Sequence, residues 1–169
     1  AQTCGRGRFD RKWIDLGEGN LFMTIVLKPS NSFEEVYSNL TQYLSVTLAL
    51  VLEEYGLSPK IKWPNDVMVN SGKISGILSE TVMQGSKFKG LVLGIGVNLN
   101  ADKKDLKQIK ERVATALNIE LEREYIDKNL FTKKLLHEFF KNYEEFLKQG
   151  FVMIKKYYIE KCNFLGREI

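Results

Sequence analysis

The feature that most constrains this chain is a run of three apolar segments separated by two short turns. Val67–Asn70 meets a Ser71-Gly72 turn, Ile74–Val82 follows, and after Gln84-Gly85-Ser86 comes Leu91–Leu99. Segments this short, rich in β-branched residues and joined by Gly/Ser/Asn turns, form an antiparallel meander. Around it, Asn20–Leu27 (NLFMTIVL) reads as a buried strand. Ser32 with Glu35 has capping-box spacing and opens a helix over 33–55, which Gly56 closes. Pro64 disfavours a central strand across 60–66. Further helices are expected over 103–117, 128–148 (after Asp127, up to Gly150) and 151–161.

Composition narrows the class. Of 169 residues, 44% are hydrophobic and 11% aromatic, too many for a disordered chain and enough for one domain with a real core. No apolar run reaches the roughly 18 residues needed to cross a membrane, and the polar, Gly-rich opening lacks a signal-peptide core. Two cysteines, Cys4 and Cys162, make no disulfide framework, so a reduced, cytoplasmic protein is expected. Twenty-five Lys and Arg against 21 Asp and Glu is a mild excess, but Arg6, Arg8, Arg11 and Lys12 concentrate it in one glycine-spaced loop. Elsewhere, as over 102–112, the signs alternate as on a solvated helix face. An anion is expected at the loop.

Four short motifs carry chemistry. In GRGR (5–8), glycines allow close backbone approach and arginines offer bidentate donors to carboxylate or phosphate. KWPND (62–66) sets Trp63 beside Asn65 and Asp66, although a core tryptophan and a turn cap would explain the same residues. In SGKISG (71–76), Lys73 is either a snorkelling surface lysine or a cation held in a pocket. GIGVNLN (94–100) clears one strand face with alternate glycines, while Asn98 and Asn100 could cap the strand end. It lacks the third glycine of a dinucleotide fingerprint.

In this order and spacing, Gln2…GRGRFDRKW…GNLF…KWPNDV…GKISGILSE…GIGVNLN resembles the catalytic domain of biotin protein ligases over residues 1–100. The resemblance implies an α+β fold: a mixed, largely antiparallel sheet flanked by helices, related to class II aminoacyl-tRNA synthetases and lipoate ligases. It divides the chain into a catalytic unit over 1–161, whose first part would precede residue 1, and the start of a small C-terminal β-barrel over 162–169. The activity implied is ATP-dependent activation of biotin as biotinyl-5′-AMP, then transfer to one lysine of a biotin carboxyl carrier protein of acetyl-CoA carboxylase. ATP would arrive with Mg²⁺, no metal-ligand cluster being visible in the sequence.

By the same resemblance Lys73, Arg8 and Asp66 are catalytic. Lys73 bridges the biotin carboxylate and the α-phosphate, and Asp66 helps deprotonate the acceptor lysine. Gln2, Gly5, Arg6, Gly7, Arg8, Lys73, Gly76, Gly94 and Gly96 contact biotin. Arg11, Trp13, Asn65 and Asn98 contact the nucleotide. Asp10 departs from the family's usual glycine and leaves the loop's shape open. A homodimer is compatible with the family, and nucleic acid would be a partner only through an upstream DNA-binding domain. Three rival readings remain, of which a non-catalytic scaffold or repressor core has no motif of its own. Of the other two, one is a lipoate ligase or octanoyltransferase on the same fold, the latter needing an activated cysteine where the sole histidine, His137, is expected on a helix surface. The other is a nucleic-acid-binding module, disfavoured because only Phe9 and Trp13 interleave with the cations.

Overall fold

A computed structural model of the chain describes Gly5, Gly7 and residues 17–28, 30, 32–107, 109 and 113–162. The elements in order are β1 (Leu21–Leu27), a 3-10 turn (Glu35–Asn39), α1 (Leu40–Glu54), β2 (Pro59–Lys62), β3 (Asp66–Val69), β4 (Gly72–Gln84) and β5 (Lys87–Val97). Then follow α2 (Lys103–Leu106), α3 (Leu117–Glu120), α4 (Lys128–Lys141), α5 (Tyr143–Gln149) and α6 (Phe151–Lys161). The strands form one five-stranded sheet in the order β1-β5-β4-β3-β2, with every strand pair antiparallel. The α+β architecture expected from the sequence is therefore present. Its parallel contacts are two isolated bridges, Ile61–Cys162 and Lys73–Ala114.

The period-2 pattern of the strands separates two faces. Leu21, Ile25 and Leu27 on β1, Leu91, Leu93, Ile95 and Val97 on β5, Ile77 on β4, Val67 on β3 and Ile61 on β2 are all buried. Against them lies α1, whose sequence is apolar nearly all round and which is buried along almost its whole length, from Leu40 to Leu52. α4 and α6 pack on α1 in turn. The aromatic core joins them: Tyr43 stacks on Phe146 with ring centroids 4.3 Å apart and donates a hydrogen bond of 2.6 Å to the carbonyl of Phe139. On the opposite face the side chains thin out, and Val26 is 75% exposed.

No central strand crosses 60–66: Pro59–Lys62 is an edge strand, where a leading proline costs no ladder bond, and Pro64 falls in the turn after it. The structure corrects the sequence reading in three places. The helix expected from residue 33 begins at Leu40, and no side-chain cap forms at Glu34 or Asn39. Of the helix expected over 103–117, Lys103–Leu106 forms α2 and Leu117 opens α3, whereas residues 113–116 are extended and pair with β4 through Ala114. The helix expected over 128–148 breaks at Asn142, whose φ of −120° ends α4 and starts α5. Asp127 caps α4 as the sequence suggests, accepting hydrogen bonds from the N–H groups of Asn129 and Leu130. Among the described residues no helix is long and apolar enough to cross a membrane.

Burial in this helical layer pushes the Tyr143 and Tyr158 phenols up from 10.0 to about 12, and raises that of Tyr43 further. Once unfolded, these phenols ionise near their ordinary value, so alkali favours the unfolded chain. The stabilising contribution is complete below pH 10 and is lost as pH rises toward 12. Urea unfolding across that window should show stability falling by roughly 1–3 kcal/mol for each such phenol; a flat profile would contradict the assignment.

Candidate functional site

The face of the sheet turned away from α1 carries the residues that the sequence singled out. Its register sets Phe22, Gly96, Gly76, Asp66 and Lys62 in one row across β1, β5, β4, β3 and β2. One step along, Thr24, Gly94 and Leu78 form the next row. Cross-strand partners point to the same face, so three glycines share one patch of it. Such a floor admits a flat ligand against the backbone itself. At Gly94 an added Cβ would meet, among the described residues, only the carbonyl oxygen of Leu78 at 3.6 Å. Packing among the described residues therefore does not demand glycine there. Gly72 is the opposite case, since a Cβ on it would lie 2.7 Å from the Cβ of Thr115.

At one side of this floor stands an ion pair. Lys73 Nζ lies 2.6 Å from Asp66 Oδ1, with the side chains only 12% and 11% exposed. Local structure explains how they meet. Along β4, strict alternation from Gly76 would turn Lys73 toward the helices, on the same side as Ser75. Ile74, however, is an extra residue opposite the Val67/Met68 step, and the register shifts there. This bulge pairs Lys73 with Met68, two residues from Asp66 on the same strand face. Of the two readings open for Lys73, the surface one does not hold: the ammonium is largely withdrawn from water and held by a carboxylate.

Asn65 and Asn98 also lie close to this region, and both bind backbone. Asn65 donates through Nδ2 to the carbonyl of Ile77 at 2.9 Å, and its own carbonyl accepts from the N–H of Ile77. Asn98 is buried, donates through Nδ2 to the carbonyl of Thr115 at 3.0 Å, and accepts from the N–H of Leu117. Asn20 Oδ1 accepts from the N–H groups of Leu99 and Asn100, closing the same end of the sheet. Trp63 is 65% exposed rather than a core aromatic. His137 is exposed on α4, in the helical layer. Cys162 is a free thiol.

Gly5 and Gly7 lie outside regular structure and are partly buried. Gln2, Cys4, Arg6, Arg8, Asp10, Arg11 and Trp13 lie outside the described residues. The register also sets Lys62, which KWPND contains, beside Asp66 across the 63–65 turn, a pairing that only the hairpin reveals. Among the described residues, no group of three or more His, Cys, Asp or Glu side chains could hold a metal ion.

Comparison with known proteins agrees with this geometry. The model of the biotin/lipoate A/B protein ligase family matches residues 1–98. The chain is 32% identical over 155 residues to the bifunctional ligase/repressor BirA of Bacillus subtilis (strain 168), covering 91% of this chain and 47% of that protein. It is 31% identical over 176 residues to the biotin–[acetyl-CoA-carboxylase] ligase of Paracoccus denitrificans, covering 99% and 70%. The chain thus spans about half the length of the Bacillus relative. Among solved structures, the biotin protein ligase from Aquifex aeolicus in complex with biotin and ATP superposes with a TM-score of 0.82 at 32% identity, over 99% of this chain and 68% of that one. A glycine floor beside a withheld lysine, on a sheet that superposes over nearly the whole chain, thus coincides with a family match over more than half of it: the chain belongs to the biotin/lipoate A/B protein ligase family.

Proposed function

We propose that this chain forms the adenylating centre of a biotin–protein ligase. In the first step an oxygen of the biotin carboxylate bonds to the α-phosphorus of ATP, and pyrophosphate leaves. In the second, the amine of a lysine on a biotin carboxyl carrier domain loses its proton and bonds to the acyl carbon, and AMP leaves. Mg²⁺ enters as part of the nucleotide substrate. The observation that carries this reading is the Lys73–Asp66 pair beside the glycine floor.

The first step drives two anions together. At about 4 Å and an effective dielectric near 20 their repulsion is about 4 kcal/mol. A cation already desolvated at that point offsets it without reorganising water. Lys73 is such a cation, and its long stem lets the ammonium swing from Asp66 to the ligand oxygens. Asp66, once released, is the carboxylate placed to accept the proton of the incoming lysine. The floor of Gly76, Gly94 and Gly96 suits the nearly planar ureido ring of biotin, and Gly5 and Gly7 belong to the loop that would cover it.

The roles of Gln2, Arg6, Arg8, Arg11 and Trp13, and nucleotide contacts by Asn65 and Asn98, rest on the resemblance. The catalytic unit is proposed to run to residue 161, where α6 ends, with 162–169 starting the next domain. The name of the Paracoccus relative supports a carrier domain of acetyl-CoA carboxylase as the acceptor.

Biotin-dependent exchange of labelled pyrophosphate into ATP tests the reading. The wild-type chain should catalyse it with biotin and not with lipoate, and Lys73→Ala should reduce it about 100-fold or more. Exchange with lipoate alone, or near-normal exchange by Lys73→Ala, would refute the proposal.

The glycines give a second prediction. Gly94→Val should keep or slightly raise stability, since a strand interior favours a β-branched residue and a Cβ there makes only an ordinary contact among the described residues. It should nevertheless abolish the heat of biotin binding. Gly72→Ala should do the reverse, losing about 1–3 kcal/mol in urea unfolding through overpacking against Thr115. Biotin binding by Gly94→Val with unchanged affinity would remove the floor from the site.

A further inference from the structure

The bulge that presents Lys73 also changes what its backbone can bond to. Its N–H donates to the carbonyl of Val113 at 3.0 Å, and its carbonyl accepts from the N–H of Thr115 at 3.0 Å. Lys73 is thereby bridged in parallel to Ala114, so its main chain leans on the extended segment 113–116. That segment has anchors of its own. Thr115 is buried with its Cβ over Gly72, and its carbonyl accepts from Nδ2 of Asn98. Its hydroxyl donates to Oε1 of Glu120. The other oxygen of the same carboxylate, Oε2, accepts from Nδ2 of Asn70 at 2.6 Å. Asn70, in the β3–β4 turn, has a φ of 51°. One carboxylate thus joins the turn before Lys73 to the strand behind it.

We infer that Glu120, acting through Thr115, is a positioning residue for Lys73. The inference rests on the reading of Lys73 as the cation that meets carboxylate and phosphate. A lysine reaches its target on a flexible four-carbon stem, so the direction of the ammonium depends on how firmly its Cα is held. At a bulge the sheet alone holds it poorly, because the local ladder is interrupted. Glu120 supplies two charge-assisted acceptors that close the turn and the backing strand around that Cα. A misplacement of about 1 Å at a reacting group can lower a rate on the order of 100-fold, so this clamp acts on the chemical step more than on biotin affinity.

Three variants test this. Thr115→Val keeps the shape against Gly72 and removes the hydroxyl, Thr115→Ser restores a hydroxyl, and Glu120→Ala removes the shared carboxylate. In biotin-dependent pyrophosphate exchange, Thr115→Val and Glu120→Ala should each lose about tenfold or more in kcat with KM for biotin changed less than about threefold, and Thr115→Ser should recover most of the rate. A purely structural role would lower Tm while kcat of the folded fraction stayed normal, and that result overturns the inference. Should Glu120→Ala fail to fold, the Thr115 pair decides alone.

A readout independent of activity separates this inference from the ligase reading. Hydrogen exchange of the Lys73 amide, which donates to Val113, should quicken about tenfold or more in Thr115→Val while the amides of β5 keep their protection. Absence of exchange activity in the wild type would sink the ligase reading and leave this measurement standing. Unchanged protection of the Lys73 amide would sink the clamp whatever the enzyme does.

Discussion

The candidate site depends on one irregularity, the extra residue Ile74 in β4. Strict alternation over 73–76 would put Lys73 on the face that packs against the helices. A lysine there would have to bury its ammonium in the hydrophobic core on the side of Val67 and Val69, at a large desolvation cost. The bulge turns it instead toward Asp66, within 2.6 Å of a counter-charge. Everything proposed for the site follows from that rotation: where the cation stands, which anion holds it, and why its backbone needs support from residues 113–115.

The rest of the sheet divides labour by face. The helix-side face is close-packed, and α1 lies against it with fully buried Leu44, Leu48 and Leu52. That packing lets the other face do without side chains. A glycine in a strand interior costs roughly 0.5–1 kcal/mol relative to alanine, and this chain spends three of them on adjoining positions of two strands. Gly94 shows that fit among the described residues does not require this, because a Cβ there would make only an ordinary contact with the Leu78 carbonyl. Gly72, buried under Thr115, shows what a glycine imposed by packing looks like. The two kinds sit in the same meander and differ in what lies above them.

Much of this was legible in the sequence. The meander and its two turns, β1, the Asp127 cap and α6 all follow from local rules of alternation, turn chemistry and capping. What local rules could not reach was set by partners distant in the chain. Residues 113–116 have no strand pattern, and they are extended because Lys73 offers them an N–H and a carbonyl. Pro59–Lys62 becomes a strand because β3 folds back onto it. Trp63 is exposed although an isolated tryptophan is usually at least partly buried. The glycine-spaced motifs announced a surface, but neither the bulge nor the Lys73–Asp66 contact has a signature in the spacing of GKISG and KWPND.

The withdrawal of that ion pair from water also bears on how such a site could work. Taking an ammonium this far out of water carries a desolvation cost, which a counter-charge at 2.6 Å offsets. An unliganded site with Lys73 but no carboxylate beside it would carry more of that cost. Asp66 offsets it, and it does so with a bond that an arriving carboxylate or phosphate can replace in kind. The exchange of one anion for another keeps the ammonium paired throughout, so it need not be rehydrated between its two partners. A site built this way keeps its cation desolvated and oriented before the substrate arrives, which is the condition under which a single charge acts most strongly on two anions forced together.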